Sequence, residues 1–330
     1  MKGYIEFERP ASIISHYSVV GRNEKDGPLG ESFDDFSLDD TFGKDSWEKA
    51  ESEMQRRALE GAISRAKMHN DDIDLLLAGD LLNQCVGSTY GLIDFNIPYI
   101  GIYGACSTCA LGLALCGTLY NGGIIDTGAS VTSSHFCSSE RQFRFPLEYG
   151  GQRAPTSQWT VTGSGAYIIG SGDGVKIRGA LFGKSVDMGI TDINNMGAAM
   201  APAAHDTIRS FFENSRHSVD DFDLIVTGDL GYEGSEILKD LLKHDGIDIY
   251  KNHVDCGLLI FDRLGQDKHS GGSGCGCSAS VLSANILKSI ERGVISNALF
   301  IGTGALMNPL TLYQGNSIPS IAHLVHLSRE

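Results

Sequence analysis

The sequence predicts an α/β protein made of two related halves that pair about a pseudo-twofold axis. Three observations carry that expectation. The run Asp72-Ile73-Asp74-Leu75-Leu76-Leu77-Ala78-Gly79-Asp80-Leu81 returns 149 residues later as Asp221-Phe222-Asp223-Leu224-Ile225-Val226-Thr227-Gly228-Asp229-Leu230. Gly104-Ala105-Cys106-Ser107 returns 171 residues later as Cys275-Gly276-Cys277-Ser278, in the same order along the chain. Each long copy follows a helix-period segment and reads as a buried strand that ends in a small residue and an aspartate. Two copies are too few for a solenoid, so two sheets sharing one core are the expected product. The 330 residues divide at 1–170 and 171–330, with Cys106 in the first half.

The elements follow in order. Met1-Lys2-Gly3 leads into Glu6, Glu8 and Arg9 without an apolar core of signal-peptide length, so no cleaved export signal is expected. Gly21 to Asp45 holds six aspartates and two glutamates among turn residues, and reads as a solvated surface insertion. Ala50 to Met68 has helical periodicity and precedes the first repeated strand. No charged residue lies between Asp94 and Asp126, a stretch longer than a membrane span. Pro98, Gly101, Gly104, Gly112 and Gly117 interrupt it, and it divides into a strand (Tyr99 to Tyr103), a small-residue turn and a buried helix (Ser107 to Tyr120). No transmembrane segment is expected. Strands follow at Ile124 to Val131 and after Gly163-Ser164-Gly165-Ala166. The second half repeats the pattern with a helix from Ala203 to Ser215, a strand at Leu224 to Thr227, a helix ending at Gly293 and a strand at Ala298 to Ile301.

Charge and cysteine usage narrow the function. There are 41 acidic against 26 basic side chains, a net charge of −15, which disfavours nucleic acid and anionic lipid as partners. The eight cysteines sit mainly in apolar or glycine-rich runs, a pattern of reduced thiols rather than a disulfide framework. Cys106-Ser107-Thr108-Cys109 has Cys-x-x-Cys spacing, but small-residue packing explains it and no metal site is expected. Gly271 to Gly276 lacks the lysine of a nucleotide loop; its glycines suit close backbone approach.

Cys106 is the residue with chemistry. Between a buried strand and a helix start, a thiol meets orphan amide groups and the positive helix end, which favour the thiolate and suit an activated nucleophile. The alternative is a small buried thiol.

Duplicated halves with the cysteine of Gly-Ala-Cys-Ser at a strand–helix junction resemble the thiolase and ketoacyl-synthase superfamily. A closer resemblance lies in Ser133-Ser134-His135, Ser139-Glu140-Arg141-Gln142-Phe143-Arg144, Glu148-Tyr149-Gly150-Gly151-Gln152 and Gln158-Trp159-Thr160-Val161-Thr162-Gly163. It continues in His269-Ser270-Gly271-Gly272-Ser273-Gly274-Cys275-Gly276-Cys277-Ser278 and Asn316-Ser317-Ile318-Pro319. Across nearly the whole chain these runs resemble the stage V sporulation protein AD family of endospore-forming bacteria.

The resemblance implies a thiolase-like fold, layered α-β-α-β-α, in a protein that binds dipicolinic acid and takes part in its uptake into the developing spore. It implies membrane proteins of the same transport system as partners, a peripheral place on the cytoplasmic side of the spore inner membrane, and a homodimer. No cofactor is implied, and calcium enters only as a counter-ion of the ligand. Acyl-transferring relatives pair the cysteine with histidines, or with histidine and asparagine. Here Asp229 stands where a histidine is expected, and His269 is the other possible partner. Condensing activity is therefore expected to be lost; an acyltransferase using Cys106 is the alternative, and a purely structural subunit a third reading. A flat aromatic dianion calls for arginine forks and apolar walls. Arg141, Arg144, Arg153 and His135, interleaved with Phe143, Phe145, Tyr149 and Trp159, form the expected cluster, with Cys106 as pocket floor, Asp229 counted among the binding residues, and His269 and Lys184 as weaker candidates. Surface arginines packed on aromatics would look the same in sequence.

Overall fold

The computed structural model describes residues 3–144 and 153–330; Phe145 and Tyr149 lie outside the described residues, as does the Arg144 side chain. Strand β1 (Ile5–Val20) opens the chain, and its ladder is interrupted between Glu6 and Ala11, where Pro10 has no amide to donate. Helix α1 (Arg22–Lys25) and the short β2 (Asp35–Phe36) occupy the acidic stretch. This stretch is less solvated than its composition suggests: Glu24 is buried, and Asp34 is clamped by Arg65 and Lys288.

Helix α2 (Trp47–Ala66) starts where the Ser46 hydroxyl accepts from the Lys49 amide at 3.3 Å, and it buries Ala50, Met54, Ala58 and Ala62 along one stripe. Then come β3 (Leu75–Gly79), α3 (Val86–Leu92), β4 (Tyr99–Gly101), α4 (Thr108–Asn121), β5 (Thr127–Ser134), α5 (Phe136–Arg144), β6 (Trp159–Thr160), β7 (Gly163–Gly170) and β8 (Val175–Leu181). The second half supplies α6 (Met196–Asn214), β9 (Leu224–Thr227), α7 (Gly231–His244), β10 (His253–Asp255), α8 (Cys256–Ile260) and β11 (Gly272–Ser273). It ends with α9 (Cys275–Val281), α10 (Lys288–Glu291), β12 (Asn297–Ala305), α11 (Pro309–Tyr313) and β13 (Ser320–Ser328). Helix α6 begins before the expected Ala203 because Asn195 caps it at the Ala198 amide, and it runs through Pro202.

The repeated Asp-x-Asp runs have the same job in both halves. Asp74 Oδ2 accepts from the amides of Asp126 and Thr127 at 2.8 and 2.9 Å, bracing the start of β5 beside β3. Asp223 Oδ2 accepts from Ser296 and Asn297 at 2.7 and 3.1 Å, bracing β12 beside β9. Asp72 and Asp221 each cap the turn before the strand, at 2.7 Å to the amides of His69 and Ser218. The parallel registers match too, with Leu75 opposite Gly128 and Leu224 opposite Ala298.

Among the described residues the strands run β10-β9-β12-β13-β8-β1-β7-β5-β3-β4. The two expected sheets are thus joined into one folded path, because the long β1 pairs with β7 over one stretch and with β8 over another. Three apolar clusters give the layers. Met54 and Leu59 of α2 cluster with Leu76 and Val131; Met200 and Phe211 of α6 cluster with Ile225 and Leu324; Leu113, Tyr167, Leu282 and Phe300 lie between. Helices α4 and α9 supply the middle layer, which explains the uncharged stretch. No helix among the described residues is long and apolar enough to cross a membrane.

Candidate functional site

A tight turn presents Cys106. Ala105 takes a left-handed conformation (φ 50°), and hydroxyls staple the bend: Ser107 donates to the Gly104 carbonyl at 2.6 Å and Thr108 to the Ala105 carbonyl at 2.7 Å. Strand β12 approaches so closely that a Cβ at Gly304 would lie 2.5 Å from the Gly104 carbonyl oxygen. The thiol lies at the start of α4, partly exposed to a narrow cleft with about 60 Å³ of water-accessible space.

Asp229, fully buried at the end of β9, faces this thiol. Its Oδ1 accepts from Thr303 Oγ1 at 2.8 Å, and its Oδ2 accepts from the Gly274 amide at 2.8 Å and Ser273 Oγ at 3.1 Å. The Cys106 thiol is within hydrogen-bonding reach of the same carboxylate. Burial pushes the Asp229 carboxyl up to about 6, while its hydrogen bonds pull the other way. Burial and the neighbouring carboxylate push the Cys106 thiol well above its ordinary value. Desolvation and Asp229 oppose the activation expected from the helix end and favour the protonated thiol.

The walls come from both halves. Leu81, Tyr103, Phe143, Met196, Met200 and Met307 supply apolar surface, with Ser139, Glu140, Gln158, Thr160, Ser273 and Gly274 between them. The paired strands β6 and β11, with Gly272 opposite Trp159 and Ser273 opposite Thr160, form one side. Side chains alternate across a strand, so Gln158 and Thr160 face the cleft and Trp159 turns behind it. There Trp159 stacks on Phe136 at 4.1 Å, with Arg153 5.1 Å and Lys268 3.4 Å from its ring centre.

Among the described residues, the expected basic cluster is not assembled around the cleft. Arg141 points outward, pairs with Glu48 and covers Trp47. Arg153 pairs with Glu140 at 3.5 Å. His135 is buried; its Nε2–H donates to the Asp40 carbonyl at 2.7 Å and its Nδ1 accepts from the Cys137 amide, so it braces backbone. Its proton affinity is lowered, chiefly by burial. Arg144 closes α5, and its side chain lies outside the described residues. His269 turns toward Asp267 at 3.9 Å and is absent from the cleft wall, so it is no partner for Cys106 here. Lys184 is exposed and pairs with Asp206 at 2.9 Å. Sequence reasoning missed Ser139 and Gln158 as wall residues, and Lys268 as a buried cation behind Trp159.

The family model for stage V sporulation protein AD matches residues 2–328. The chain belongs to that family. Stage V sporulation protein AD of Bacillus subtilis (strain 168) is 45% identical over 324 residues, covering 98% of this chain and 96% of that protein. Among solved structures, 3-oxoacyl-[acyl-carrier-protein] synthase III of Aquifex aeolicus VF5 matches with a TM-score of 0.60 at 12% identity, covering 96% of this chain and 99% of its own. Cerulenin-bound OleA of Xanthomonas campestris matches with a TM-score of 0.62 at 14% identity, covering 98% of this chain and 100% of its own. At such identities these structures establish the thiolase-like fold alone. Within the stage V sporulation protein AD family, this member carries Asp229 against the cysteine at its strand–helix junction.

Proposed function

We propose that this stage V sporulation protein AD family member binds dipicolinic acid in the Cys106 cleft and serves its uptake into the developing spore without condensing chemistry. The observation that carries this reading is the buried Asp229 carboxylate facing Cys106. A carboxylate accepts the thiol proton but cannot donate to a developing oxyanion, and its charge opposes one. A protonated thiol is a poor nucleophile. What remains is a cleft with apolar walls at Phe143, Tyr103, Met196 and Met200, suited to a flat ring.

The setting belongs to the same proposal: a peripheral protein on the cytoplasmic side of the spore inner membrane, working with membrane proteins of the transport system. We also propose a homodimer. Strand β4 is an edge of the sheet, with Tyr99, Ile100 and Gly101 exposed, and Tyr90, Ile93 and Tyr103 exposed in the adjoining segments. An unpaired strand edge flanked by apolar side chains invites a second copy.

Titration calorimetry with dipicolinate tests the binding; no heat at millimolar ligand overturns it. The competing acyltransferase reading draws on the partly exposed Cys106 at the helix start. It requires a Cys106-dependent mass adduct after incubation with acyl-coenzyme A.

A further inference from the structure

Helix α2 buries two polar side chains one turn apart, Glu51 and Gln55, and with the buried Asp80 at the end of β3 they form one network. Glu51 Oε1 accepts from Ser133 Oγ at 2.9 Å, and its Oε2 lies 2.9 Å from Ser138 Oγ on α5. Asp80 accepts from the Leu82 amide, the Ser88 amide and Ser88 Oγ at 2.9, 2.7 and 2.6 Å. The Gln55 amide bridges the two acids, donating to Ser88 Oγ at 2.9 Å and to Ser133 Oγ at 2.7 Å. A Cβ at Gly87 would lie 3.2 Å from Asp80 Oδ2 and 3.3 Å from Glu51 Cγ, so both acids border one point.

Proton counting distinguishes them. Ser138 has one hydroxyl proton and two acceptors, Glu51 Oε2 and the His135 carbonyl at 3.1 Å. Both contacts are hydrogen bonds together when Glu51 Oε2 carries a proton and donates to Ser138 Oγ, which then donates to the carbonyl. Asp80, with three donors, is the anionic member. The ionisable neighbours are Glu48 on α2, Cys85 before α3, Tyr99 on β4, Tyr103 after it and Cys275 on α9. Among the described residues no cation pairs with either acid. Burial and the Asp80 charge push the Glu51 carboxyl up.

Helix α5 brings Ser139, Glu140 and Phe143 to the cleft wall, and a further tie runs from its Gln142 Nε2 to the Leu81 carbonyl, beside Asp80, at 2.8 Å. We infer that the Glu51–Asp80 pair holds one proton that latches α5 to α2, and that losing it loosens this wall of the Cys106 cleft and weakens ligand binding. With both acids ionised, Ser138 must give its only proton to Glu51, and two buried charges face each other without a cation. The latch stands on the network alone; its effect on dipicolinate rests on the proposed function.

Both tryptophans of the chain report on α5: Trp159 stacks on Phe136, and Arg141 lies 5.5 Å from the Trp47 ring centre. Tryptophan fluorescence and dipicolinate calorimetry on the full chain therefore read the latch and the cleft separately. From about pH 7 to about pH 9.5 the ligand's own carboxyls, with ordinary values near ~4, stay ionised. The parent protein should show a fluorescence transition, with binding about tenfold weaker above it, the size of one net hydrogen bond. Glu51→Gln keeps a donor for Ser138 and cannot ionise, so it should lose the transition and hold its affinity across the range. Ser138→Ala cuts the link to α5 and should remove most of the transition; it decides the matter if Glu51→Gln does not fold. A full transition in either variant places the titration at another buried acid such as Glu24 and overturns the inference. No transition in the parent overturns it too, as does dipicolinate binding equally tight on both sides of one. A latch transition without dipicolinate binding at any pH supports the latch and removes the dipicolinate reading.

Discussion

The Cys106 thiol and the Asp229 carboxylate come from opposite halves of the duplication and meet in the wall of one cleft, the thiol within hydrogen-bonding reach of the acid. Asp229 ends the second repeated strand, as Asp80 ends the first. Asp80 is also buried, accepting from the Ser88 amide at 2.7 Å and from the Leu82 amide at 2.9 Å. The duplication thus leaves a buried acid at the end of each repeated strand, and one of them restrains the cysteine.

That restraint is measurable as thiol reactivity. Alkylation of Cys106 by iodoacetamide at mildly alkaline pH should be slow, with Cys137, the other partly exposed thiol, as reference. Asp229→Asn removes the charge that raises the thiol. Each unit its pKa falls back should speed the reaction about tenfold until the thiolate dominates. Peptide mass mapping reads both rates, and an unchanged Cys106 rate in the variant would show that Asp229 does not hold the proton.

Close backbone approach beneath the site makes a second prediction. A Cβ at Gly276 would lie 2.2 Å from the Gly163 carbonyl oxygen and 2.7 Å from the Ser134 amide, neither of which can move alone. Gly276→Ala should cost about 1–3 kcal/mol by overpacking and lower the melting temperature by a few degrees. Gly172→Ala, whose new methyl would meet Ile14 at 3.5 Å, should leave it nearly unchanged. Equal melting temperatures for the two variants would contradict the packing account.

The duplication was legible in the sequence because Asp72, Asp74, Asp221 and Asp223 each act on backbone within their own half, where local order sets their partners. Cys106 and Asp229 were legible for the same reason, as residues at strand ends. The basic cluster was misleading. Whether Arg141 faces a ligand or Glu48 depends on how α2 packs beside α5, and Arg153 reaches Glu140 on α5 only in the folded chain. Ser139 and Gln158 carried no local signal, because the cleft they line exists only once both halves have folded.

Buried ionisable groups set the pH dependence of stability. Burial pushes the carboxyls of Glu24 and Asp255 up to about 7 and Asp229 to about 6, and raises Glu51 too. Above their unfolded values near ~4 the native state binds more protons at these sites, so their stabilisation is lost as pH rises through the folded values. Burial pushes His253, His323 and His326 down to about 4, so between there and ~6.5 the unfolded chain binds more protons and stability rises with pH. The two trends oppose each other below ~6.5, and above it the carboxyls act alone. Urea midpoints should therefore be nearly flat from about pH 5 to 6.5 and fall toward pH 8. Glu24→Gln should soften the fall, since Oε1 can still accept from the Thr162 amide. Midpoints that climb between pH 6.5 and 8 would refute this assignment of protons.

The exposed edge of β4 supplies the last prediction. One side of Tyr99–Gly101 is paired with β3, and the other presents unpaired backbone groups beside Ile100, 48% exposed, and Tyr103, 47% exposed. Pairing of two such edges would cover these side chains together with Tyr90 and Ile93, and would bring a second copy to the cleft mouth, since Tyr103 also lines the cleft. A lysine at an edge strand is a common guard against such pairing. In sedimentation velocity at micromolar concentration the protein should run as a dimer, and Ile100→Lys should shift it toward monomer with little change in melting temperature, because Ile100 supports no core cluster. A monomeric parent protein would remove the proposed dimer, and a dimer untouched by Ile100→Lys would place its interface elsewhere.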